Sequence, residues 1–186
     1  MAWRLITPDF VKQHGLLEQN VDEGYVAPYI DFCQELYVQD ILGTGLYREI
    51  LDEAENATLS TENELLLTGY VIPFLLWYVQ AESLQGIQWK ITNQAVLSKD
   101  SNTGVPSTSK EVHQMQRSFY YKGEFYANRC VMFLCENALD YPLYDNPGDG
   151  FDIKQPKKNA YRTGIYFGGS RKLPKGFPID YGDKCR

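Results

Sequence analysis

Residues 65–79 read LLLTGYVIPFLLWYV, and this stretch decides the fold. Apolar side chains fall on every side of a 3.6-residue turn, so a helix here has no face left for water and belongs in the middle of a helical body. Thr61, followed three residues later by Glu64, forms a capping box that starts this helix, and the pattern continues to about Leu84. Pro73 interrupts it, because proline lacks an N–H and its ring displaces the carbonyl one turn back, so a kink is expected there.

Upstream, Thr7 and Pro8 open a short helix that Gly15 ends. Asp22 caps a longer helix to about Leu42, in which Val26, Ile30, Cys33, Tyr37 and Ile41 share one face. Pro28 is tolerated there as a residue near the first turn. Gly43 and Gly45 break that helix, and LYREILDEA forms a short third one.

Downstream, IQWKIT and AVLS change the period to two and read as a small hairpin around Asn93 and Gln94. The polar loop at 98–109 follows. A last helix starts at a capping box of Thr108 and Glu111 and carries the stripe Val112, Met115, Phe119, Tyr126, Cys130 and Phe133. It is expected to reach Leu139, roughly 45 Å at 1.5 Å per residue, with Gly123 as a possible bend. Tyr141-Pro142 then ends it. The expected fold is mainly α: a helical bundle over residues 1–146 with a small β-hairpin, and a long extended C-terminal arm over 147–186.

The net charge of −6 conceals a division. Residues 151–186 hold nine Lys/Arg against three Asp, while residues 1–150 hold nine Lys/Arg against 21 Asp/Glu. An acidic body therefore carries a basic arm, which should be drawn to nucleic acid, an acidic protein or another copy of the body. No signal peptide is read at Met1–Arg4. The longest apolar run, 71–79, is far shorter than a membrane span. Cys130 and Cys135 lie about 140° apart on a helix, and all four cysteines read as small apolar residues in a reducing compartment.

The chemistry of catalysis is hard to find. His14 and His113 sit near helix ends with no ligand at helical spacing, and read as solvated or capping groups. No CxxC or HExxH occurs. The GTG at 43–45 and the GGS at 168–170 lack the Lys-Ser/Thr of a phosphate loop, and Gly43 reads better as a helix cap. Asp52, Glu53 and Glu55 read as a solvated acidic face. No catalytic, cofactor-binding or metal-ligating residue is expected, and no enzyme.

The feature with functional content is the arm. Lys157, Lys158, Arg162, Arg171, Lys172 and Lys175 alternate with Tyr161, Tyr166, Phe167 and Phe177. Basic residues among aromatics suit single-stranded nucleic acid. They suit equally a protein groove that is acidic at its rim and apolar within. In an isolated monomer the arm is expected to be disordered.

The order of elements, with VIPFLLWYVQAESL (71–84), ITNQAVLSKDSNT (91–103) and YANRCVMFLCENALDYPLYDN (126–146), resembles the head–tail connector (adaptor) proteins of tailed bacteriophages, most of all those of crAss-like phages. The resemblance covers roughly residues 5–146 and rests on apolar spacing. It implies a structural virion protein in a homo-oligomeric neck ring, usually of twelve subunits, between the portal protein and downstream tail or neck proteins. DNA would pass through the channel without specific binding, and no membrane or cofactor would be involved. The place implied is the virion neck, reached from the host cytoplasm during assembly. The arm would dock on the portal or a neighbouring subunit, and the 98–109 loop would line the channel. The alternative is a nucleic-acid-binding module that uses the basic arm.

Overall fold

The protein, seen as a computed structural model that describes residues 3–91, 96–98, 109–150 and 152–158, is mainly helical and is organised around the apolar stretch at 65–79. Helix α1 spans Pro8–His14, α2 Glu23–Cys33, α3 Gln39–Glu55, α4 Thr61–Leu66, α5 Ile72–Gln88, α6 Ser109–Glu136 and α7 Pro142–Asp145. Two short strands, β1 (Trp89–Ile91) and β2 (Val96–Ser98), pair antiparallel with Lys90 opposite Leu97. α5 lies against α6 along its length and also touches α1 and α2. Phe74, Leu75 and Val79 of α5 are fully buried, among Ile30, Leu42, Leu46, Leu66, Cys130 and Leu134 from four other helices. Over Thr61–Leu84 the helix is long and apolar enough to cross a membrane by length and composition, yet 56% of that window is buried inside the protein. That burial is what a core helix shows.

The chain stays helical through Pro73. A single π-turn, Leu67–Val71, precedes the proline, and the Ile72 N–H reaches back five residues to the Leu67 carbonyl. The α-helical donor to the Gly69 carbonyl would be the N–H that Pro73 lacks. The wider turn takes up this mismatch inside the helix itself. A second π-turn, Gln34–Val38, joins α2 to α3. There Gln34 is buried, accepts from the Leu5 N–H at 2.6 Å and donates to the Trp3 carbonyl at 3.0 Å. Together with the two-pronged Arg4–Asp31 pair at 2.6 and 2.7 Å, it fastens the N-terminal segment.

Several boundaries differ from the sequence expectation. Thr7 caps α1 and Asp22 caps α2 as expected. Pro28 lies just past the first turn of α2, and Gly24, one turn back, is exposed. The cap of α4 is Ser60, one residue before Thr61. Its neighbour Asn63 is buried and donates to Glu53, so the box shifts to where both groups find partners. α5 continues through Ile87 and Gln88, which the sequence had placed in a strand. α6 ends at Glu136, three residues short of Leu139, and the Asn137 side-chain amide donates to the Phe133 carbonyl at 2.9 Å. Leu139 is 97% exposed.

The buried line of α6 is Phe119, Gly123, Ala127, Cys130 and Leu134, whereas Met115 is exposed. Small residues let α5 come close: a Cβ on Gly123 would stand 2.8 Å from the Tyr78 ring. α6 runs through Gly123 without a break, and the glycine makes room for the Tyr78 ring. The first part of α6, residues 109–118, has no buried side chain.

Candidate partner-binding surfaces

Two surfaces combine unusual backbone or side-chain chemistry with access to solvent. The first is a saddle at the GTG. Gly43 has φ +78° and ψ 162°, a left-handed conformation that glycine adopts without strain, and α3 changes direction there. The break frees the Asp40 carbonyl and the Thr44 N–H. Neither is left to water. The Thr44 N–H donates to the Lys154 carbonyl at 3.1 Å, and the Lys157 N–H donates to the Asp40 carbonyl at 2.9 Å. The Lys154 N–H donates in turn to Thr44 Oγ1 at 2.8 Å. Residues 154–157 thus complete a helix break that lies more than a hundred residues away in sequence.

The glycines also form the floor. A Cβ on Gly43 would sit 2.9 Å from Pro156 Cδ, and one on Gly45 would sit 2.8 Å from the Pro147 backbone. Pro147 is buried on this floor, and Tyr144 beneath it is fully buried. The Tyr144 hydroxyl has no hydrogen-bond partner among the described residues.

Of the ten residues expected to bind a partner, Lys157 and Lys158 are described, and both engage the body. Lys157 forms an ion pair with Asp40. Lys158 pairs with Asp145 at 3.1 Å and lies 6.0 Å from the centre of the Tyr144 ring. The chain read from sequence as the start of a free arm at 147 is therefore packed on the body through residue 158. Tyr161, Arg162, Tyr166, Phe167, Arg171, Lys172, Lys175 and Phe177 lie outside the described residues, as do the 99–108 loop, Thr108 and the Asn93-Gln94 turn.

The second surface is a groove of about 560 Å³ between the π-turn after α2, α5 and α6, with Tyr37, Tyr78, Glu82 and Tyr120 inside it. Tyr37 and Tyr78 stack with ring centres 4.0 Å apart. The Tyr37 hydroxyl donates to Glu82 Oε1 at 2.5 Å, and Tyr120 lines the same groove. Burial first, and the Glu82 hydrogen bond second, push Tyr120 up to about 12 and raise Tyr37 as well. Both phenols therefore stay protonated donors through the neutral range. Arg117, Tyr121 and Glu124 stand at the mouth.

The residues weighed as chemistry have structural surroundings. His14 stacks on Phe10 with centres 4.1 Å apart, and its Nδ1 lies 3.2 Å from the Phe10 carbonyl oxygen. His113 is exposed on the first part of α6. Asp52 and Glu55 are exposed, as a solvated face requires. Glu53 is not part of that face. It accepts from Asn63 Nδ2 at 2.9 Å and from the Ser60 N–H at 3.1 Å, and these bonds, Asn63 first, hold its carboxyl below the usual range. Cys33 and Cys130 are buried free thiols whose pKa burial raises. Cys135 stands in a disulfide, which departs from the reading of all four as reduced. Among the described residues no group of three or more His, Cys, Asp or Glu could hold a metal ion.

The sequence reading missed the Glu82 groove and the saddle. A signal for the first was present: Gln80, Glu82 and Ser83 are polar residues inside a helix that must be central. Gln80 serves α1, accepting from the Leu16 N–H at 2.7 Å. The saddle gave only the GTG, and nothing local in the sequence points to its partner at 154–157.

Comparison with curated proteins and with solved structures finds no match. A family model does match, over residues 38–151, a span that takes in the Gly43–Gly45 saddle, all of α5 and all of α6. The chain belongs to that family, DUF6712, described as a family of unknown function.

Proposed function

We propose that this protein is a structural subunit of a phage neck ring, joining portal to tail and prolonging the DNA channel. The observation that carries the reading is the division of α6. Its second half packs on α5, while residues 109–118 bury no side chain. A helix end that buries no side chain in its own subunit suits a ring, where it can reach the lumen or the next layer. In this reading β1, β2 and the loop between them form the small hairpin, and the 98–109 loop lines the channel. Residues beyond 158 form the extended arm, which docks on the portal or on a neighbouring subunit.

The acidic body supports the same reading, since a conduit wall of net negative charge does not hold phosphates. The ring is a homo-oligomer, taken as twelve subunits on the resemblance, that contacts portal and downstream neck or tail proteins. It is no enzyme and uses no cofactor, metal or membrane. Many modest contacts repeated around a ring become durable by avidity. The test is electron microscopy of the purified protein mixed with portal protein. A ring seated on the portal is expected; absence of any complex contradicts the proposal.

The second reading, a nucleic-acid-binding module, draws on the nine Lys/Arg of residues 151–186. It requires affinity for DNA that falls steeply with salt. A titration that shows no binding at low salt removes it. The acidic body already weighs against it.

A further inference from the structure

We propose that the Glu82 groove receives a basic side chain from residues 159–186 of a second copy of this chain. This deepens the ring reading and rests on it for the presence of the second copy.

The groove has the chemistry of a cation receptor. Glu82 is half-buried and takes a hydrogen bond from the neutral phenol of Tyr37, with Tyr120 lining the same groove. Phenols orient a carboxylate but do not neutralise it. Among the described residues no ion pair within 4.0 Å reaches Glu82. A carboxylate has about four acceptor sites, so room remains for an ammonium or a guanidinium. Tyr78 adds an aromatic wall, and Tyr121 and Glu124 flank the entrance. Aromatic faces and carboxylates together favour a cation over an anion or a neutral group. Arg117 also lines the groove, and its charge opposes an incoming cation, a cost that Glu82 and Glu124 must outweigh.

The surface beside the entrance sets the second requirement. Tyr121, Phe125 and Met132 are 74%, 56% and 43% exposed and follow one face of α6. A shallower groove of about 170 Å³ runs along this face past Asn128 and Arg129. An occupant must therefore be basic at one point and apolar or aromatic beside it. The segment YRTGIYFGGSRKLPKGF, residues 161–177, has that alternation, and it belongs to the basic end of a chain whose body is acidic. It also has reach. Arg171 lies thirteen residues past the fixed Lys158, which allows up to about 45 Å of extended chain.

The test uses the full chain and sedimentation velocity at low and high salt. Three variants separate receptor from ligand. Glu82→Gln keeps the acceptor shape and removes the charge, and Phe125→Ser, at an exposed position, checks the apolar half of the groove without touching the core. Arg171→Glu with Lys172→Glu reverses the ligand. The wild type is expected to self-associate, and each variant to do so about tenfold less tightly or worse. Mixing Glu82→Gln with the arm variant should restore association, because one copy keeps an intact arm and the other an intact groove. A wild type that stays monomeric, variants that associate normally, or a mixture that fails to recover would overturn the proposal.

Portal binding separates this from the ring reading. If the wild type seats on portal but the variants do not alter self-association, the groove assignment alone fails. If self-association follows the variants but no portal complex forms, the groove stands and the neck assignment fails.

Discussion

The two long helical runs, 23–55 and 61–88, are each interrupted, and they are repaired in opposite ways. At Pro73 the missing N–H is absorbed by a π-turn in the same helix, with Ile72 bonding to Leu67. At Gly43 the freed carbonyl of Asp40 and N–H of Thr44 are taken by Lys157 and Lys154. The first repair is local and makes the core self-sufficient. The second makes the body depend on a segment near the other end of the chain. Buried or half-buried backbone groups must find partners, but where the partner comes from decides whether a helix break is a detail or an attachment point.

The largest test of the difference is Gly43→Ala. It forces an alanine to φ +78° and brings its Cβ within 2.9 Å of Pro156. A loss of about 2–3 kcal/mol is expected by denaturant titration, with residues 152–158 becoming cleavable by protease. The counterpart is Pro73→Ala. Because the π-turn already repairs that site, the change in stability should stay under about 1 kcal/mol, and protease resistance near 152–158 should be unchanged. Equal effects of the two substitutions would remove the distinction.

A smaller effect separates backbone from side chain in the saddle. Lys157→Ala deletes an ion pair whose lysine side chain is 53% exposed, and such pairs contribute at most about 0.5–1 kcal/mol. The dock should survive, since the backbone bonds of Thr44 and Lys157 remain. A detached segment in this variant would mean that charge, not backbone pairing, holds it.

The smallest effect tests the end of α3 against the break within it. The Asn63 and Ser60 bonds depress the Glu53 carboxyl. A carboxyl with a lowered folded-state pKa adds stability above its unfolded value, and that stability is lost as pH falls through the folded value. The gap between wild type and Glu53→Gln should therefore be full near neutrality and shrink on going below about pH 4.5. A gap independent of pH would show that Glu53 acts only by packing.

Much of the helical body was legible in the sequence, because its signals are local. The face of Val26, Ile30, Cys33, Tyr37 and Ile41 is buried as its spacing requires. Thr7, Asp22 and the all-round apolar run of α5 also mark their elements directly. The errors came where two local signals compete, as with Ser60 and Thr61, which cap equally well until Glu53 reaches Asn63. Long-range partners were not legible at all. GTG marks a break, and only the folded chain reveals that Pro147 and Pro156 lie on those glycines. The Glu82 groove is likewise assembled from three helical elements, each of whose tyrosines reads as core when taken alone.

The most direct measurement is amide hydrogen exchange on the free, full-length protein, read at Thr44 and Lys157. If residues 152–158 belong to the folded body, both amides exchange far more slowly than in an unstructured peptide, and both lose that protection together in Gly43→Ala. A Lys157 amide that exchanges at the rate of an unstructured chain, while the amides of α5 stay protected, would contradict the account.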